Sequence, residues 1–261
     1  MTDREWPIQR WSPDVAALAA TDRVALECPV ALVYNGISHA VMMATPSDLD
    51  HLARGFSVTE GIVPSVDHIY GIDVHPHCGG EVESYSVELE ISARCMSQLS
   101  QQRRQLSGRT GCGLCGVESL SHVLRDIECV SPGAVVTPEA IDAAVSNLPA
   151  QQPLQAATGG VHAAAWCSAS GDVLRVFEDV GRHNALDKLL GSLLADKVDV
   201  KAGFVLMSSR GSYEIIQKAA VLGVSTLVTL SAPSALACQL ASRFGMTLIG
   251  FARPGRHSQY S

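Results

Sequence analysis

The chain has 261 residues, 47% of them hydrophobic and 17% charged, which is too apolar for a disordered chain and enough for one large domain or two modest ones. Aromatics make up only 5%, so the core must be built mainly from Ala, Val, Leu and Ile. A formal net charge of −7 and a pI near 5.7 argue against a general nucleic-acid coat.

The start, MTDREWPIQRW, is polar and charged and does not read as a secretory signal, so a cytoplasmic protein is expected. The first ~20 residues look like a loosely packed lead-in. VALVYNGISHAVMMAT then reads as a hairpin, with Asn35-Gly36 supplying the positive φ angles of a tight turn. Thr45 is expected to cap a helix that has Pro46 in its first position, Asp48 near its positive end, and an apolar stripe of Leu49, Leu52, Ala53 and Phe56. Alternation over Val82–Ser92 predicts a strand, and Arg94–Leu106 a helix. A glycine- and cysteine-rich loop, GRTGCGLCG, follows, then a helical pattern through Val117, Leu120, Val123 and Leu124. Asn147–Thr158 reads as a linker, which divides the chain into an N-terminal α+β part (1–148) and an α/β domain (149–261).

The second half carries five short apolar runs, HAAAWC, VLRVFEDV, GFVLMSS, TLVTLS and TLIGFAR, with helical segments after His183, Ser212 and Ser234. FVLMSSRGSYE and LVTLSAPSALA align weakly at an offset of 23 residues. Strand–helix units of this length imply parallel strands with right-handed crossovers, whose ligands sit beyond the carboxyl ends of the strands. Ala219–Ser242 is free of charge over 24 residues, but Pro233, Gln239 and several hydroxyls mark it as buried strand and helix, not a membrane span.

Four segments could carry chemistry. Cys112-Gly-Leu-Cys115 sits among Gly111, Gly113 and Gly116, with a helix start behind it, a setting that favours an accessible thiolate. Between Glu90 and Glu118 lie Arg94, Arg103, Arg104 and Arg109 and no acidic residue. The pair could be part of a zinc site completed by His75, His77 and Cys78, a disulfide exchanger, or a persulfide carrier. Zinc deaminase chemistry is poorly supported, because no His-x-Glu occurs and Gly111, not proline, precedes Cys112. The other cysteines, Cys28, Cys95, Cys129, Cys167 and Cys238, read as inert. The second segment, Glu178–Lys188, places Arg182, His183 and Asn184 at a strand-to-helix turn. It suits an anion or a base, or equally plain capping by Asp179 and Asn184 with Asp187 and Lys188 solvated. Ser208–Glu214 resembles a phosphate cradle around Arg210, and Phe251-Ala252-Arg253-Pro254-Gly255-Arg256 puts two arginines in a turn that can straddle a diphosphate.

Together these segments resemble the FdhD family of sulfur carriers required for formate dehydrogenase activity. The stretches that carry the resemblance are ATPSDLDHLARGFSVTEGIV, GRTGCGLCGVESL, TGGVHAAAW, EDVGRHNALDKLLG, SSRGSYEIIQKAAVLGV and TLIGFARPGR, covering nearly everything from Cys28 to Tyr260. Gly211 stands where many relatives carry Ala. The resemblance implies a cytoplasmic, homodimeric sulfurtransferase with a cytidine-deaminase-like three-layer core but no metal of its own. In it Cys112 would receive persulfide sulfur from a cysteine desulfurase, with Cys115 as its partner. The sulfur would pass to the molybdenum or tungsten of a bis-molybdopterin guanine dinucleotide before that cofactor enters formate dehydrogenase. Cofactor contacts are implied on Phe251, Ala252, Arg253, Pro254, Gly255 and Arg256. Arg210 is added from strand-end geometry. No nucleic-acid or membrane partner is expected.

Overall fold

The computed structural model describes residues 1–13, 15–77, 82–107 and 126–261. Where a loose lead-in was expected, Asp3–Ser12 (β1) and Val15–Ala25 (β2) pair antiparallel along their length. Nearly every described side chain of this ribbon is exposed, so no buried alternation announces it in the sequence.

The first sheet contains Cys28–Tyr34 (β3), Ile37–Ala44 (β4), Ile69–His77 (β5) and Ser84–Ile91 (β6), in the order β4-β3-β6-β5. The expected hairpin is present: Asn35 and Gly36 turn it with φ of 46° and 79°. Val30, Leu32 and Tyr34 point to one face, with Val87 and Leu89 of β6. Leu49–Thr59 (α1) covers that face with Leu49, Leu52 and Ala53, and Phe56 packs beside them. The N-cap of α1 is Asp48, in the left-handed region and without a side-chain cap bond, so Thr45 does not cap it. Thr45 is instead drawn to a partner 134 residues away: its amide donates to Asp179 Oδ2 at 3.0 Å. Ala93–Ser107 (α2) forms as predicted.

Beyond the undescribed stretch, Pro138–Asn147 (α3) is capped by the Thr137 hydroxyl. The presumed linker is structured: a 3-10 turn over Leu148–Gln151 and a short helix, Pro153–Thr158 (α4), bury Leu148 and Leu154. Its prolines open these turns, where a missing N–H costs nothing, and that composition imitates a linker. The second sheet follows: His162–Ser168 (β7), Val173–Asp179 (β8), helix Arg182–Ala195 (α5), Gly203–Met207 (β9), helix Tyr213–Val221 (α6), Thr226–Thr229 (β10), helix Ala235–Arg243 (α7), Thr247–Arg253 (β11) and Arg256–Gln259 (β12). The order is β12-β11-β10-β9-β7-β8. Strands β9, β10 and β11 are parallel, and β7 lies antiparallel between β8 and β9. The carboxyl ends of β8, β9, β10 and β11 therefore share one edge, as the strand–helix rhythm predicts.

The sheet is the middle of three layers. Ala164, Trp166, Val205, Met207, Leu227 and Leu248 meet α5, α6 and α7 on one face. Ala165, Cys167, Phe204, Leu206, Val228 and Ile249 meet Ile141, Ala144, Val145 and Leu148 on the other. Residues 138–148, on the N-terminal side of the expected 148/149 division, thus pack on the second sheet. The α/β class read from the sequence holds. No helix among the described residues is long and apolar enough to cross a membrane.

The two sheets are joined through α1 and α5, which cross backbone to backbone. A Cβ at Gly55 would lie 1.9 Å from the carbonyl oxygen of Asp187, and one at Gly191 1.9 Å from that of His51. Alanine at position 191 gains helix propensity, up to ~1 kcal/mol, but must push two helical backbones apart. Gly191→Ala is therefore expected to lower stability by about 1–3 kcal/mol in urea unfolding; an unchanged midpoint would contradict the close crossing.

Candidate functional site

The edge where the strands end is organised by a buried ion pair. Asp179, the last residue of β8, lies 2.7 Å from Lys188 Nζ, and both side chains are wholly buried. Asp179 Oδ1 accepts from the Gly181 amide at 2.8 Å and from Asn184 Nδ2 at 3.0 Å. Asn184 also donates to the Met43 carbonyl, and Lys188 to that of Thr45. The Thr45 hydroxyl in turn accepts from the Val180 amide. Asp179 therefore does satisfy a backbone amide of the turn, that of Gly181, whereas Asn184 donates and caps nothing, and the solvated Asp187 and Lys188 of the plain-capping alternative are not found. Asp187 is buried, accepting from Thr59 and from Lys218, and Lys218 also pairs with Glu60 at 2.7 Å. Burial alone would depress the Lys218 ammonium, but Asp187 and Glu60 hold its pKa above the usual lysine range.

With this scaffold inside, the turn presents Arg182 and His183 at the edge. His183 Nε2 lies 3.6 Å from Glu214 Oε2, so the EDVGRHN and SSRGSYE segments meet here. The ordering of β7 against β8 brings a residue that sequence reasoning passed over, His162, to the same edge, opposite Asp179. Burial first and the Arg182 guanidinium second push both imidazoles below the ordinary histidine pKa. Burial pushes Glu214 up, but the Ser212 hydroxyl, His183 and Arg182 together hold its carboxyl below the usual range.

Along the same edge, Arg210 is exposed just after β9. Gly211 bridges to Pro233, and its carbonyl accepts from the Ser234 amide. The Phe251 amide donates to Ser231, and the Arg253 guanidinium donates to the carbonyls of Leu230 and Ala252. These links run from Gly211, the neighbour of Arg210, through the loop after β10 to the Phe251–Arg256 turn at the end of β11. Phe251 is half-exposed at φ 52°, a region that bulky side chains rarely occupy, and the β11–β12 register slips beside it. Ala252 is buried beneath the turn, Pro254 and Gly255 form its exposed tip, and the Gly255 amide is tied to Asp142. Arg253 and Arg256 face each other across the ladder, an arrangement of like charges that favours an anion between them. With Phe251, His257 and Ser258 they line a cavity of about 320 Å³.

Cys112 and Cys115, and with them Arg109 and Cys78, lie outside the described residues. The remaining cysteines are poor nucleophiles by placement: burial pushes the Cys167 thiol up to about 12 and raises Cys28, and Cys95 is enclosed in the first core. Cys238 is partly buried on α7, and exposed Cys129 lies against the Arg243 carbonyl. His77 meets Ser86 and His75 faces Glu88. Among the described residues no three His, Cys, Asp or Glu side chains come together as a metal site.

Comparison with known proteins places this arrangement in a family. The model of the FdhD/NarQ family matches residues 25–261. The chain belongs to the FdhD/NarQ family. A protein of Burkholderia mallei (strain ATCC 23344) named sulfur carrier protein FdhD is 47% identical over 248 residues, covering 94% of this chain and 90% of the relative. Proteins of the same name from Cupriavidus necator and Bordetella petrii are 47% and 48% identical, covering 100% and 95% of this chain and 88% and 87% of theirs. A solved structure from Desulfotalea psychrophila, provisionally described as a formate dehydrogenase accessory protein, has a TM-score of 0.75 at 22% identity, over 100% of this chain and 97% of that one. At that identity it shows the fold the family shares.

Because the His183 pKa is depressed in the folded state, its contribution to stability is lost as pH falls below the unfolded value of about 6.5. Removing the second cause, in Arg182→Gln, should raise the pKa of both His162 and His183 in an NMR titration; unchanged values would contradict the influence of Arg182 on them.

Proposed function

We propose that this chain is a sulfur carrier in the maturation of formate dehydrogenase. The observation that carries this reading is the near-complete match, at 47% identity, to proteins named sulfur carrier protein FdhD. In this reading Cys112 is the carrier and Cys115 its partner. The Cys112 thiolate attacks the outer sulfur of a persulfide on a cysteine desulfurase: one S–S bond forms, the other breaks, and the desulfurase cysteine leaves as thiolate. Attack of the Cys115 thiolate on the Cys112 sulfur then forms a Cys112–Cys115 disulfide and breaks the persulfide bond, so the dithiol supplies the two electrons that release the sulfur as hydrosulfide, which passes to the metal of a bis-molybdopterin guanine dinucleotide, the substrate of the transfer, before insertion into formate dehydrogenase. The protein works as a cytoplasmic homodimer. The Phe251–Arg256 turn, with Arg210 beside it, holds the guanine dinucleotide end of that substrate. The opposed Arg253 and Arg256, the strained Phe251 and the cavity between them support this placement.

Two measurements test it. Intact mass after incubation with a desulfurase and cysteine should show a reductant-labile gain of one sulfur on the peptide containing Cys112, absent in Cys112→Ala; an adduct that persists in that variant removes Cys112 from the role. Replacing Arg253 and Arg256 by alanine should weaken GDP binding by roughly 10–100-fold, the worth of charge-assisted hydrogen bonds of about 1.5–3 kcal/mol, while sulfur loading is unchanged. Unaltered GDP affinity would move the nucleotide site elsewhere.

A further inference from the structure

We propose that the β1–β2 ribbon docks on the uncovered face of the first sheet in a second copy of this chain, each copy lending its ribbon to the other about a twofold axis. The inference rests on the homodimer in the reading above and names the two surfaces that form it.

The ribbon carries the first surface. Its register and the alternation of side chains put Trp6, Ile8, Leu18 and Val24 on one face, with Arg4 and Arg10 towards the two ends. Trp6 is 52% exposed and Leu18 59%. A two-stranded ribbon with no covered face is marginal in water, and neighbouring large apolar side chains left exposed mark a contact surface. Arg4 has no ion-pair partner among the described residues, and Arg10 reaches only Asp22, at 3.8 Å. The ribbon lies almost wholly ahead of residue 25, where the match to the family model begins, so this surface is not part of the body that the model describes.

The first sheet carries the second surface. Helix α1 covers the face of Val30, Leu32 and Tyr34, so alternation turns Ala31 and Val33 to the opposite face. Cross-strand register places Val41 and Met43 of β4 on that face, and beyond β3 it places Glu88 of β6 and Asp73 of β5. Val41 is 64% exposed and Met43 47%. Glu88 and Asp73 are exposed directly opposite one another, a pairing of like charges that a cation from outside relieves. Among the described residues only His75 approaches Glu88, at 4.0 Å, and no lysine or arginine pairs with either carboxylate. The face is thus apolar on one half and acidic on the other, against a ribbon face that is apolar between two arginines. Both surfaces stand exposed in the same chain, so neither covers the other within one copy.

Area decides the occupant. The strands of the first sheet are 7 to 9 residues long, about 27 Å, and a ribbon of two strands is about 10 Å wide. One ribbon laid along the sheet therefore removes roughly 540 Å² counted over both surfaces, well short of the ~1,000 Å² that a stable interface requires. Two such contacts, related by a twofold axis, reach about 1,100 Å². Only a partner that offers both surfaces in return supplies the second contact, and this chain does. Two sheets packed face to face with nearly aligned strands are an ordinary protein core.

Sedimentation equilibrium of the full chain provides the test. Trp6→Glu/Leu18→Glu on the ribbon and Val41→Glu/Met43→Glu on the sheet should each weaken the dimer by roughly 30-fold or more. All four side chains are exposed, so the fold should survive, which an unchanged unfolding midpoint of the isolated variants would verify. An equimolar mixture of the two variants recovers one intact ribbon–sheet contact per pair and should associate more tightly than either variant alone. A dimer indifferent to both variants, or a mixture no tighter than its components, overturns the exchange of ribbons and leaves the homodimer in place. A wild-type chain that stays monomeric overturns both. Sulfur loading of Cys112, followed by intact mass on the same samples, reports on the carrier reading separately.

Discussion

The ion pair between Asp179 and Lys188 is the interaction on which the rest of the molecule turns. Two opposite charges without solvent contact are tolerated only when hydrogen bonds satisfy their remaining valences, and here those bonds come from both ends of the chain. Thr45, just after the first sheet, and Gly181 and Asn184, after β8 of the second, all bond to these two side chains, and Asn184 carries the link on to the Met43 carbonyl of the first sheet. One pair thereby fixes the direction of the turn after β8, the start of α5 and the seat of the first sheet against the second. Removing either charge would strand the other inside.

That arrangement explains how an acidic protein can present cationic groups to a ligand. The carboxylates nearest the strand ends are turned inward or occupied: Asp179 by Lys188, Asp187 by Lys218, Glu214 by His183. Of the arginines at the same edge, Arg210 and Arg256 are left exposed and Arg182 is half-buried with its Nε enclosed. The local field there is set by which charges are buried, and the net charge of the chain says little about it.

Much of this was legible in the sequence because it follows from short-range rules. The Asn35-Gly36 hairpin, the helices after His183, Ser212 and Ser234, the parallel strand–helix units of the α/β domain and the strand-end location of the arginine turns all follow from periodicity and turn chemistry, while the three-layer arrangement was implied by the family resemblance. What escaped depends on partners far along the chain. Thr45 has the composition of a helix cap, yet a buried carboxylate 134 residues away claims its amide. Asp187 and Lys188 look like surface residues because their counter-charges, Lys218 and Asp179, are not sequence neighbours on the exposed side of a helix. His162 lies in the TGGVHAAAW stretch, but no local spacing marks it as a site residue; it reaches the site because β7 runs against its neighbours and delivers its first residue where the others deliver their last. The backbone strain at Phe251 has no sequence signature either, since a phenylalanine in a strand-like run is ordinarily extended. The β1–β2 ribbon is hidden for the opposite reason, having no buried face to imprint a pattern.

The close crossing of α1 and α5 also bears on how the chain is made. β6 completes the first sheet at Ile91 and α5 begins at Arg182, 91 residues later, which at about 5–20 residues per second of synthesis is roughly 5–18 s of elongation. For that interval the first sheet and α1 exist with the carbonyl of His51, the open side of Gly55 and the hydroxyl of Thr59 waiting for a helix not yet translated. The nascent N-terminal half therefore displays an unmatched helix face on the ribosome, and its protection there falls to whatever meets the emerging chain.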